Sequence, residues 1–114
     1  MRRLLPVVAA LALLGGCADT GARLPSVTVT NSTPQIVTAT VEVGGQGVDF
    51  TELRSGEKRR ISYQPQQPSG VTVRWAGYTD TLPYRIDPAA DPLSNNVTII
   101  LQPGGATLDP GRHR

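Results

Sequence analysis

The amino-acid sequence predicts an all-β protein, and three observations support this prediction. Valine and threonine recur through the middle of the chain, and these β-branched residues suit the pleated, half-buried surface of a sheet. The chain has 12 glycines and 10 prolines, which favours many turns and disfavours long helices. Apolar and polar residues alternate with a period of two in several runs, whereas helical spacing is not sustained anywhere after the N-terminal segment.

Seven alternating runs predict seven strands, separated by segments rich in turn-forming residues. The runs cover residues 26–31, 37–43, 48–51, 60–63, 71–76, 82–86 and 97–102. The glycine-rich residues 44–47 join two strongly alternating runs, which is typical of a β-hairpin. Pro83 lies inside its run and cannot donate a backbone hydrogen bond, so this run is expected to be an edge strand or an irregular one.

Short strands at this spacing are typical of a small antiparallel sandwich, either immunoglobulin-like or transthyretin-like. The sequence has one cysteine and therefore lacks the Cys–Trp–Cys pattern of immunoglobulin domains. The prediction is thus a seven-stranded antiparallel architecture, without membership of a particular sandwich family.

The first seventeen residues have the layout of a secretory signal. Arg2 and Arg3 precede an apolar run over residues 4–14, which is shorter than the roughly 20 residues that span a membrane. The run ends in four residues that resemble the lipobox of bacterial lipoproteins: Leu14, Gly15, Gly16 and Cys17. The resemblance implies that a signal peptidase recognises the first three, cleaves before Cys17, and leaves this cysteine carrying lipid.

The resemblance also implies how the chain is organised. Residues 1–16 are then a cleaved signal peptide, and residues 17–25 are the lipidated cysteine and a short tether. We expect the sandwich to cover residues 26–102 and residues 103–114 to be a disordered tail.

Ala18 follows the cysteine where an enterobacterial-type retention signal would have aspartate. This favours the inner leaflet of the outer membrane, facing the periplasm, over the alternative, the outer face of the cytoplasmic membrane.

The charge balance of the mature domain argues against nucleic acid as a partner. The whole chain has 11 basic and 9 acidic residues, and removal of Arg2 and Arg3 with the signal leaves equal numbers. A neutral domain lacks the basic footprint of nucleic-acid binding. The expected partners are the membrane, through the lipid on Cys17, and another protein of the cell envelope.

The sequence offers little for catalysis or for a metal. His113 is the one histidine and lies beside the C-terminus, and Cys17 is expected to be acylated, so a nucleophilic site lacks its base and its thiol. Oxygen ligands cluster over residues 87–96, but their spacing favours turn formation over a calcium site. We therefore predict no metal and no cofactor. Four carboxylates are assigned to a solvated face rather than to acid–base chemistry: Glu42, Asp49, Glu52 and Glu57.

Two features are candidates for contact with a partner or a polyanion. The densest positive patch is Lys58, Arg59 and Arg60, with Arg54 nearby. The favoured role of this patch is to protect a sheet edge, and contact with a partner or polyanion is the other role that the sequence leaves open. Tyr78 lacks an apolar partner in register and is expected to be exposed. The remaining aromatics of this region share parity with core residues and are expected to be buried: Tyr63, Trp75 and Tyr84.

Three functions remain open from the sequence. The first is a non-catalytic, membrane-anchored envelope lipoprotein that acts as an accessory or interaction module for another envelope protein. The second is a module that binds glycan or lipopolysaccharide through Tyr78 and the basic turn. The third is a small hydrolase, for which so short a domain has little material to build a cleft. We also expect the uncharged first strand, residues 26–31, to be an exposed edge that pairs with a partner by strand addition.

Overall fold

The computed structural model describes residues 24–109, and these residues form an all-β domain of two four-stranded sheets. The strands are β1 (Ser26–Asn31), β2 (Val37–Val43), β3 (Gln46–Leu53), β4 (Lys58–Ser62), β5 (Ser69–Trp75), β6 (Tyr78–Ile86), β7 (Val97–Gln102) and β8 (Gly105–Leu108). A 3₁₀ helix, Pro92–Asn95, precedes β7. Over residues 24–109 no helix has the length and hydropathy needed to cross a membrane. The predicted all-β class is confirmed.

The strand order is β4–β1–β7–β8 in the first sheet and β3–β2–β5–β6 in the second. Neighbouring strands are antiparallel except β1 and β7, which run parallel with Val29 opposite Ile99. The predicted count of seven antiparallel strands is therefore wrong in two respects, since the described residues form eight strands and include a parallel pair. The position of Pro83 on an edge strand is confirmed, because β6 ends the second sheet.

The eighth strand lies in the segment that we expected to be disordered. Pro103 and Gly104 form a tight turn after β7, and Gly104 has a φ of 102°, which favours glycine. The chain then returns along β7, where Ala106 is buried and Leu108 packs against the core. The prediction of a disordered tail is thus wrong for residues 105–108, while residues 110–114 lie outside the described residues.

β1 lies inside its sheet, which contradicts the expectation that it is a free edge. It pairs with β4 on one side and with β7 on the other. Strand addition at residues 26–31 is therefore ruled out. The physical reason lies in the sequences of the neighbours: the charged β4 takes the edge, where water solvates its side chains, and the uncharged β1 fits between two strands.

The two sheets share one hydrophobic core, built from alternate residues of their strands. Each large apolar side chain buried there contributes about 1.5–3 kcal/mol to folding. Tyr63 and Trp75 are buried and Tyr84 packs against the core, as parity predicted. The largest fully buried side chains are Phe50, Leu53, Ile86, Ile99 and Leu101.

At each side of the sandwich, a charged side chain on the edge strand of one sheet hydrogen-bonds to the main chain of the edge strand of the other sheet. On one side, the Arg59 guanidinium of β4 donates to the main-chain oxygen of Thr51 in β3, at 2.8 Å. On the opposite side, the Asp80 carboxylate of β6 accepts from the main-chain N–H of Ala106 in β8 at 2.9 Å, and from the indole N–H of Trp75 at 3.3 Å. Inward-pointing charges of this kind also discourage edge-to-edge association.

The loop before β7 is anchored by a buried tyrosine. The hydroxyl of Tyr63, which is 4% exposed, donates to the main-chain oxygen of Asn95 at 2.7 Å. Burial raises the pKa of Tyr63 to about 12, and the neighbouring Tyr84 adds to the effect. An unfolded chain returns this hydroxyl to its ordinary pKa of about 10.

This difference makes the stability of the domain depend on pH in the alkaline range. The folded state holds its proton more tightly, so the contribution is fully present below pH 10 and is lost as pH rises toward 12. We expect the free energy of unfolding to fall there by up to about 1.4 kcal/mol per pH unit. Urea denaturation at several alkaline pH values measures the slope. A Tyr63→Phe variant should show a shallower decline than Tyr78→Phe, and equal slopes would contradict the assignment.

Candidate functional site

The strand directions place the loops at two ends of the domain. Leu24, before β1, and the β2–β3 turn at Gly44 lie at one end, because the residues after β4 bond to both the start of β1 and this turn. We call the end of the domain that contains Leu24 and Gly44 the tether end. The β3–β4 turn, residues 54–57, and the β5–β6 turn, residues 76–77, lie at the opposite, far end. Cys17 and the lipobox residues lie outside the described residues.

The structure divides the predicted basic patch between two faces of β4. Lys58 and Arg60 are exposed on the outer face of the first sheet, where the Arg60 Nε donates to the Ser26 hydroxyl at 3.0 Å. Arg59 points to the opposite face and closes the side of the domain as described above. Lys58 and Arg60 remain available to a partner, and they border a shallow depression of about 260 Å³ lined by Thr28, Lys58, Arg60 and Thr98.

The β3–β4 turn beside Arg54 contains an acid that offsets its positive charge. The Glu57 carboxylate accepts the main-chain N–H of Arg54 at 2.9 Å and pairs with Arg59 at 2.8 Å. The hydrogen bond from the Arg54 N–H, followed by the contact with Arg59, lowers the pKa of Glu57 from its ordinary value. The turn is therefore a mixed-charge surface rather than a simple cationic site.

Tyr78 is exposed as predicted, but it lies far from the basic residues. Its side chain is 42% exposed and its ring packs on Trp75, with centroids 5.1 Å apart and planes tilted by 39°. Tyr78 begins β6 and Arg54 follows β3, and these strands are the two edges of the second sheet. Three strand spacings separate them, or roughly 14 Å. The structure does not bring Tyr78 and the basic turn together into one binding site.

The carboxylates of the second sheet lie on its solvated face, as expected. Glu42 pairs with Arg74 at 3.1 Å, with both side chains about half exposed. Asp49 is exposed and accepts a hydrogen bond from the Thr40 hydroxyl at 2.9 Å. An exposed ion pair such as that of Glu42 and Arg74 contributes little to stability.

The polar loop over residues 87–96 uses its side chains to form turns. Asp87 accepts from the main-chain N–H of Ala89, and Asp91 accepts from that of Leu93. Asn95 is buried and bonds twice to the main chain of Asp87. These are the roles in which Asp and Asn stabilise turns. Within residues 24–109 no group of three or more His, Cys, Asp or Glu side chains is arranged to hold a metal ion.

A polar cleft at the tether end of the second sheet was missed by the sequence reasoning. Gly44 and Gly45 have positive φ values of 59° and 88°, and a Cβ on Gly45 would approach the Gln67 side chain to 2.7 Å. These glycines let the loop before β5 pack against the hairpin turn. The cleft has a volume of about 570 Å³ and is lined by Glu42, Gly45, Gln46, Gly47, Gln67, Ser69, Gly70, Thr72 and Thr81. Its residues come from separate segments without a motif, so no local signal marks it.

The cleft offers amides, hydroxyls and one carboxylate, and β4 offers two exposed cations. Comparisons with models of protein families, with curated proteins and with solved structures found no match to this chain.

Proposed function

We propose that this chain is a membrane-anchored envelope lipoprotein that acts, without catalysis, as an interaction module for another envelope protein. The observation that carries the proposal is the order of two arginines, a short apolar run and the lipobox ending at Cys17. Acylation at this cysteine supplies the anchor, since several acyl chains hold far more firmly than the marginal binding of a single one. Ala18 favours the inner leaflet of the outer membrane, with the outer face of the cytoplasmic membrane as the alternative.

The geometry of the described residues supports a surface-bound domain. The first strand begins at Ser26, and Pro25 before it accepts a hydrogen bond from the Tyr63 N–H at the tether end of the domain. The tether of residues 18–25 spans at most about 28 Å when fully extended. The domain would thus stay within a short distance of the leaflet, where its exposed surfaces meet other envelope components.

The sheet topology favours a transthyretin-like arrangement over an immunoglobulin-like one. In an immunoglobulin-type sandwich the first two strands belong to the same sheet. Here β1 and β2 belong to different sheets, and each sheet has four strands. Of the two sandwich types that the sequence leaves open, we therefore propose the transthyretin-like one.

The anchor is tested by the intact mass of the protein in the membrane fraction. We expect a mature chain that begins at Cys17 and carries acyl groups, and a Cys17→Ser variant that keeps its signal peptide and lacks lipid. The thiol is the group that accepts lipid, so serine removes the acceptor while changing little else. A mature wild-type mass without acyl groups would refute the anchor, and Ser26→Ala provides a control that should be processed normally.

The alternative is a module that binds glycan or lipopolysaccharide, and the exposed pair of Lys58 and Arg60 favours it. A small hydrolase is the least favoured reading. A photo-crosslinker placed at the exposed Ser55 in intact cells separates the first two. An adduct with an envelope protein supports the interaction module. An adduct with lipopolysaccharide, together with loss of lipopolysaccharide binding in a variant with Lys58→Ala and Arg60→Ala, supports the alternative.

A further inference from the structure

The hairpin geometry shows which backbone N–H and C=O groups of β3 are not hydrogen-bonded to β2. The two-residue turn of Gly44 and Gly45, both with positive φ, makes Val43 and Gln46 a hydrogen-bonded pair. In an antiparallel ladder such pairs alternate with pairs that direct their backbone groups away from each other. Gly47, next along β3, therefore directs its N–H and C=O away from β2.

The same alternation applies to Asp49, two residues further on. Thr51 confirms the direction, because its main-chain oxygen accepts from Arg59 on the side away from β2. Gly47 and Asp49 thus present two N–H and two C=O groups at the free edge of β3. No hydrogen bond to these groups from another described residue is present at this edge.

The other sheet edges among the described residues are guarded. β4 carries the exposed Lys58 and Arg60, β6 contains Pro83, which has no N–H, and the N–H of Ala106 in β8 is bonded to Asp80. Lysine, proline and inward-pointing charge are devices that prevent edge pairing. Residues 46–50 of β3 contain no lysine, no proline and no inward-pointing charge. Their one charged residue, Asp49, is exposed on the outer face, and the Arg59 guanidinium bonds this edge further along, at Thr51.

We propose that two copies of this chain associate through the free edges of β3, antiparallel about a two-fold axis at Val48. In this register Gly47 lies opposite Asp49 of the second copy, and Asp49 opposite its Gly47. Each opposed pair exchanges two N–H···O bonds, so all four open groups on each copy are satisfied. The contact is isologous and closed, as in most homodimers. Gly47 has no side chain, so Asp49 of the second copy meets neither a steric clash nor a like charge there.

A shallow groove beside β3, lined by both apolar and polar side chains, gives the second copy a surface to cover in addition to the backbone. It has a volume of about 400 Å³ and lies between β3 and β4. Leu24 is 51% exposed in it, and Ile61 is partly exposed beside Val48. The two-fold axis at Val48 brings the grooves of both copies together. A tether reach of about 28 Å lets both copies be anchored in one leaflet.

Sedimentation equilibrium of the full chain, in detergent with micelles in large excess, tests the proposal. We expect a reversible dimer. Asp49→Pro removes an N–H that points to the second copy and should weaken dimerisation by at least about tenfold. Asp49→Ala keeps that N–H and should change the dissociation constant by less than about threefold. Circular dichroism of the two variants checks that both fold.

A pair of variants at Gly47 tests the register without changing Asp49. Glu42 lies opposite Gly47 in the same chain, so circular dichroism must first show that both variants fold. A Cβ on Gly47 makes only an ordinary contact, 3.5 Å from Thr40 Cγ2. Gly47→Glu should weaken the dimer, since it faces Asp49 of the second copy, whereas Gly47→Lys should strengthen it. The pairing would be overturned if the wild-type chain stayed monomeric at all concentrations. It would also be overturned if Gly47→Glu and Gly47→Lys shifted the dissociation constant in the same direction. A wild-type monomer that still carries lipid on Cys17 would leave the proposed anchor intact, so the two failures are distinguishable.

Discussion

Replacement of Asn31 by alanine is expected to destabilise the domain by about 3–4 kcal/mol, since it leaves several buried polar groups without partners. Asn31 is fully buried at the end of β1. Its amide nitrogen donates to the main-chain oxygens of Gln35 at 2.7 Å and Leu53 at 2.9 Å. Its amide oxygen accepts from the N–H and the hydroxyl of Thr33, at 2.9 and 2.7 Å. This side chain therefore joins the end of β1, the following loop and the end of β3.

Urea denaturation, followed by the fluorescence of Trp75, measures this effect. Ser32→Ala is the matched control, because the Ser32 side chain is exposed and its removal should change stability by less than about 0.5 kcal/mol. Asn31→Asp keeps the acceptor but loses both donated bonds and buries a charge, so it should also be strongly destabilising. A cost below about 1 kcal/mol for Asn31→Ala would show that the loop rearranges around water instead.

The second large effect is expected at Asp80, where alanine should cost about 2–3 kcal/mol. The carboxylate accepts the N–H of Ala106 and the indole N–H of Trp75, and both donors belong to residues that are buried in the core. Without Asp80, the contact between β6 and β8 loses its polar link. The thermal midpoint should fall by roughly 4–8 °C for each kcal/mol lost.

Two variants make the Asp80 experiment specific. Asp80→Asn retains an oxygen acceptor and should cost about half as much as alanine, since hydrogen bonds to neutral acceptors are weaker than those to carboxylates. Thr79→Ala, at an exposed position on the same strand, should change little. If Asp80→Ala and Thr79→Ala had the same stability, the closing role of Asp80 would be wrong.

The sequence could predict the strands because most have one buried face. The run over residues 37–43 alternates cleanly and became a strand with its apolar residues in the core, and residues 97–102 did the same except at Ile100, which lies on the outer face. The sequence does not reveal β8, because Pro103 and Gly104 are typical of a chain that leaves a sheet, whereas here they form the turn into the last strand. The parallel pairing of β1 with β7 was also missed, since local alternation says nothing about which distant strand becomes a neighbour.

The candidate site was predictable only in part, and parity explains why. Lys58 and Arg60 share one face of β4, whereas Arg59 shares the face of Ile61 and turns inward. The alternation within this run could have separated Arg59 from its neighbours. The distance between Tyr78 and Arg54, in contrast, depends on the order of strands in the second sheet, which the sequence alone does not reveal.

The parallel contact between β1 and β7 affects the order in which the domain can form. The start of β1 bonds to a residue 70 positions later, so the middle of the first sheet cannot assemble until nearly the whole chain is present. The second sheet is joined instead by the tight hairpins β2–β3 and β5–β6, whose closure costs little chain entropy. We therefore expect a chain emerging N-terminus first to build the second sheet early, while β1 waits for the last quarter of the sequence. Loss of that quarter would leave β1 with β4 as its one remaining neighbour among the described strands.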